Sequence, residues 1–118
     1  PVGSLLLGTS AFIAQARRYR KLMGGGWRQA GFLAAAGIYA LDHHVNRLKL
    51  DHARARKIGA LLSTLPVVED LYPIDTNIVI FRLPDTLPAA DYVAQLAEQA
   101  IRAVTFGPHL VRFVTHLD

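Results

Sequence analysis

Cysteine is absent from all 118 residues, so a disulfide framework, a thiolate metal site and a cysteine nucleophile are all excluded. Charge is sparse as well: 19% of residues are charged, below the roughly 25% usual in soluble domains. The formal charge of +4 is a mild excess. The longest apolar run, residues 30–41, has 12 residues, whereas a membrane span needs about 20, so no membrane partner is expected. The apolar segment behind Pro1 has neither a basic flank nor a cleavage site, so no targeting signal is expected and the location should be cytoplasmic. No Gly-x-Ser-x-Gly or His-Glu-x-x-His pattern occurs, and Gly24-Gly25-Gly26 lacks the Gly-Lys-Ser/Thr ending of a phosphate-binding loop.

What is present is apolar residue, 52% of the chain, enough for one modest core and too little length for two. Residues 2–7 are apolar and closed by Gly8-Thr9-Ser10, which reads as a buried strand handing over to a helix. Helical spacing of Phe12, Ile13, Ala16 and Tyr19 predicts a helix over 11–23, with basic residues near its end where they complement the helix dipole. A second helix, starting at Trp27 or Arg28 and running to Leu41, is apolar on every side and belongs in a centre or an interface. From Asp42 the pattern turns amphipathic and predicts a long helix with Val45, Leu48, Ala55, Ile58, Leu62 and Leu65 on its buried face. After Pro66 the period changes. Strands are expected at 67–71, 77–83, 101–105 and 110–115, with a helix over 88–98 whose first turn suits Pro88. The fold class is therefore α/β, of the small α+β kind: a mostly antiparallel sheet with helices on one face.

Candidate sites are few. His43, His44 and His52 do not form an i,i+4 pair, so no metal site is expected. The basic run from Arg17 to Lys21 is one turn long and has no second patch, which fits a helix end better than a nucleic-acid contact. Two isolated arginines remain: Arg28 behind the three glycines and Arg112 inside the last strand. By pattern alone Arg112 fits an edge charge. The same fork of donors is also how proteins clamp phosphates and carboxylates.

Three segments, PVGSLLLGTSAFIAQARRYRKLMGGGWRQAGFLAAAGIYAL at 1–41, DTNIVIF at 75–81 and FGPHLVRFVTHLD at 106–118, together resemble the low-specificity threonine aldolases, pyridoxal-phosphate enzymes of the aspartate-aminotransferase-like fold. The resemblance implies that residues 1–41 are the tail of a large cofactor domain plus interface helices, and that 42–118 form the small C-terminal domain. It implies pyridoxal 5'-phosphate in the whole enzyme, a homo-oligomer, and cleavage of threonine or a similar β-hydroxy-α-amino acid to glycine and an aldehyde. The family's cofactor-bearing lysine precedes the PVGS motif, so no catalytic residue is expected in this chain. The chain alone should be silent and should not hold the cofactor. Lys21, Lys49 and Lys57 do not match that lysine's position. Arg28 matches the arginine that reaches the cofactor phosphate across a subunit interface, where the glycines let the backbone approach another chain and the helix behind aims the charge. Arg112 matches the arginine that holds the substrate α-carboxylate, and Thr115 and His116 share its motif without an assigned role. Trp27 departs from the family, where a smaller or unbranched apolar residue is expected, and the family continues beyond THLD into a further helix. The alternatives are a non-catalytic α+β interaction module and a related pyridoxal-phosphate enzyme acting on another amino acid.

Overall fold

The computed structural model describes residues 3–117, and the chain divides into two compact units, Pro1–Val45 and Asn46–Asp118. The first unit holds helices α1 (Ser10–Leu22) and α2 (Gly31–His43). Thr9 starts α1 by accepting the Phe12 N–H on its hydroxyl at 3.3 Å. The helix ends in a Schellman motif: the Gly25 N–H reaches Arg20 O at 2.8 Å, the Gly24 N–H reaches Lys21 O at 3.2 Å, and Gly24 takes φ 87. The first of the three glycines is therefore a helix terminator that needs the left-handed conformation.

Two expectations for this unit are corrected. The strand at 2–7 does not form: residues 3–9 have no regular structure and Leu5, Leu6 and Leu7 are exposed, while residue 2 lies outside the described residues. A strand exists only with a ladder partner, and a short apolar run by itself cannot supply one. Helix α2 begins at Gly31, not at Trp27 or Arg28. Three consecutive glycines ahead of Trp27 leave that backbone costly to fix in a helix, and Arg28 falls in a bend. None of the described residues in this unit is buried.

The second unit contains α3 (Leu48–Leu62), β1 (Asp70–Leu71), β2 (Ile78–Arg82), α4 (Ala89–Glu98), β3 (Val104–Thr105) and β4 (Leu110–Val114). Turn residues 44–47 separate α2 from α3, so the amphipathic helix is shorter than expected. Its buried stripe is Asp51, Ala55, Gly59 and Leu62, at i, i+4, i+8 and i+11; Val45, Leu48 and Leu65, expected on that face, are exposed. Gly59 permits a close approach, because a Cβ there would stand 2.1 Å from Ile74 Cδ1.

The sheet is antiparallel throughout, in the order β1-β2-β4-β3. Its outer strands are shorter than the expected 67–71 and 101–105. Val68 N–H turns back to Leu65 O after α3, and Ile101 N–H completes the C-terminal cap of α4 on Leu96 O, so neither is free to join the ladder. Pro88 stands at the N-cap of α4, one place ahead of the first helical residue. Register puts Phe81 opposite Val111 and Val79 opposite Phe113, so these four side chains share one face. Ala55 and Leu62 of α3 and Ala89 of α4 join Val79, Phe81, Leu83 and Val111 in a buried cluster. Phe81 anchors it, with Phe113 at 5.3 Å and Tyr92 edge-on at 6.1 Å. Fully burying each such side chain contributes about 1.5–3 kcal/mol.

Candidate functional site

Packing one face of the sheet leaves the other to Ile78, Ile80, Val104, Leu110 and Val114, with Arg112 among them and the charged Asp70 and Arg82 at one end. Arg112 pairs with Ile80 on one side and Val104 on the other. It therefore lies on an interior strand, and the edge-charge reading does not hold. Its Nε is buried with no hydrogen-bond partner, and its Cζ sits 5.5 Å from the centre of the Phe106 ring. Among the described residues no carboxylate lies within ion-pair distance of this guanidinium. An uncompensated arginine on a largely apolar sheet face has unspent capacity for an anion, and a planar carboxylate matches its fork.

Three residues beyond Arg112, Thr115 fixes the end of β4. Its hydroxyl donates to Asp51 O of α3 at 2.8 Å, its N–H to Asn77 O at 3.0 Å, and Asn77 Nδ2 donates to Thr115 O at 2.7 Å. One residue thus ties the Arg112 strand to both the helix and the segment entering β2. The Asp51 carboxylate beneath is only 2% exposed and is held by Arg47 and Arg54, each at 3.3 Å. Sequence reasoning missed Asp51 and Asn77. For Asp51 the signal was available: it leads the i, i+4, i+8, i+11 stripe, with an arginine four residues before and another three after. His116 lines a cleft of about 550 Å³ with Arg54, Lys57, Ile58, Leu61, Val114 and Leu117.

Arg28 belongs to the other unit, in a bend between α1 and α2, where it is exposed and has no ion-pair partner among the described residues. It does not stand at a helix start, so no helix aims its charge, which corrects that part of the sequence expectation. Lys21, Lys49 and Lys57 are all exposed. The rings of His43 and His44 both meet Tyr39, at 4.2 and 5.5 Å, and no group of metal-ligating side chains is found among the described residues. Nor is any described helix long and apolar enough to cross a membrane.

The second unit is thus an α+β domain built on an antiparallel sheet. Residues 1–86 match the beta-eliminating lyases, and the chain belongs to that family. Over its whole length it is 42% identical to a low-specificity L-threonine aldolase of Escherichia coli K12, of which it covers 34%. It is 35% identical to a probable low-specificity L-threonine aldolase of Schizosaccharomyces pombe, over 94% of this chain and 28% of the relative. It is 31% identical to low-specificity L-threonine aldolase 1 of Arabidopsis thaliana, over 98% of this chain and 33% of the relative. The chain spans about a third of the length of the curated relatives it matches.

Proposed function

We propose that the whole protein is a pyridoxal-phosphate-dependent aldolase that cleaves threonine or a similar β-hydroxy-α-amino acid to glycine and an aldehyde, and that this chain supplies two of its anion contacts. The observation that carries the reading is Arg112: a guanidinium on an interior strand, its Nε orphaned and no carboxylate of the described residues paired with it. The names of the relatives support the choice of reaction. In this assignment Arg112 grips the substrate α-carboxylate through two parallel hydrogen bonds and sets the orientation of the scissile Cα–Cβ bond. Arg28, exposed and without an ion-pair partner among the described residues, holds the cofactor phosphate of a neighbouring subunit. The residues present fit those two anions. When bound, pyridoxal phosphate supplies the electron sink for the carbanion left by Cα–Cβ cleavage.

The same proposal divides the chain into 1–41, the tail of the cofactor domain with interface helices, and 42–118, the small domain. It makes the protein a cytoplasmic homo-oligomer, supported by the exposed Leu5, Leu7, Met23 and Phe32 of the first unit, whose apolar surface invites cover. This chain alone holds no cofactor. Kinetics of the full-length enzyme test the assignment. Arg28→Ala should weaken cofactor binding by about 1.5–3 kcal/mol, the size of a hydrogen bond to a charged group. Arg112→Ala should raise the KM for the amino acid and leave cofactor affinity unchanged. Equal loss of cofactor affinity in both variants would refute these roles.

A further inference from the structure

An arginine that clamps a carboxylate must have its fork held still before the ligand arrives, and among the described residues no hydrogen bond or ion pair does this for Arg112. Its Nε is sealed without an acceptor, and no carboxylate pairs with it among the described residues. What the guanidinium does meet is the Phe106 ring, 5.5 Å from Cζ to the ring centre. We infer that Phe106 is a positioning residue for substrate binding: its ring holds the Arg112 guanidinium in the orientation that receives the α-carboxylate, an inference that rests on the role proposed above for Arg112.

Local structure places Phe106 where this requires. Its N–H donates to Leu110 O at 2.8 Å, closing the connection between β3 and β4. It follows β3 directly, two residues beyond Val104, which is the β3 partner of Arg112, and its bond to Leu110 keeps it beside β4, where its ring meets the guanidinium. At 54% exposure the ring is only half covered, leaving space beside the fork for a ligand.

The chemistry favours an aromatic over an acidic support. A ring attracts the cation through its π face and leaves the guanidinium charge intact. The N–H donors lie in the guanidinium plane, so a carboxylate approaching that edge and a ring against its face do not compete. An acidic residue in place of Phe106 would orient the fork equally well but would occupy the donors that the substrate needs.

A double-mutant cycle in the full-length enzyme tests this, using Phe106→Leu, Arg112→Ala and the pair, with Phe106→Tyr as the conservative variant. Phe106→Leu keeps apolar bulk and removes the ring. It should raise the KM for threonine about three- to tenfold, within the coupling range of residues in contact, with kcat changed less than twofold and cofactor affinity unchanged. Phe106→Tyr should restore the KM. In the Arg112→Ala background Phe106→Leu should shift the KM less than twofold, since the ring acts only through the arginine. A full, additive shift in that background would show that Phe106 has a merely structural role, and an unchanged KM in the single variant would overturn the inference outright. If Arg112→Ala itself leaves the KM unaltered, the carboxylate role of Arg112 fails, and the positioning role of Phe106 fails with it.

Discussion

The two units of this chain are both rich in large apolar residues and differ completely in what they do with them. In the second unit Val79, Phe81, Leu83 and Val111 are fully enclosed, whereas in the first no described residue is buried and Phe32 is 90% exposed. Hydrophobic content therefore does not decide burial here; complementary layers do. The pleat gathers four large side chains on one face of the sheet, and α3 and α4 each bring small residues, Ala55, Gly59 and Ala89, that let a helix settle on that face. Helix α2 is apolar around its whole circumference, so no single neighbour could cover it. The unit that keeps its core to itself carries Arg112, and the unit left uncovered carries Arg28, the arginine proposed to act on another subunit.

The contrast can be broken most severely at its centre. Phe81→Ala should destabilise the second unit by about 3–5 kcal/mol, as large-to-small changes in packed cores do, read as a lower urea midpoint in circular dichroism. A loss below 1 kcal/mol would mean that the second unit is no better packed than the first. Asp51→Ala comes next, at about 1–3 kcal/mol, because it removes a buried acceptor from two arginines. Arg47 and Arg54 still reach water in that variant, which keeps the loss below that of a stranded buried charge.

An opposite sign is expected at Ala100. It holds the left-handed position of the α4 cap with φ 60, the role glycine fills at Gly24 in α1. Ala100→Gly should relieve that strain and stabilise by about 0.5–1 kcal/mol after the added freedom of the unfolded chain is subtracted. Destabilisation by the same amount would remove the parallel between the two helix ends. The smallest effect belongs to Phe32→Ala, which should alter the unfolding of this chain by less than about 0.5 kcal/mol. In the full-length protein the same change should weaken subunit association in sedimentation. An unaltered assembly there would remove Phe32 from the proposed interface.

Much of the second unit was legible because its signals are local and periodic. Apolar runs with the bounding prolines and Gly107 located β2, β4 and α4 to within a residue or so. The edge strands were overestimated because pairing needs donors that the caps of α3 and α4 had already taken. Arg28 and Arg112 stood out as isolated cations, yet sequence could not separate an edge charge from an orphaned one. That distinction is set by strand order, which depends on contacts between residues distant in the chain. Asp51 illustrates the same limit: its spacing marked it for burial, but its role at the end of β4 arises from Thr115, 64 residues away.

By itself the sequence determined the helices, the two long strands, the absence of cysteine chemistry and the family resemblance, because each is written in residue type and short-range spacing. Tertiary structure alone decided that residues 3–9 make no strand, that β4 lies inside the sheet, and that Arg112 meets Phe106 and no carboxylate of the described residues. The reason is physical. A strand's bonds and an arginine's partner come from whichever segments lie alongside, and hydrophobic patterning specifies which face is buried without specifying its neighbour.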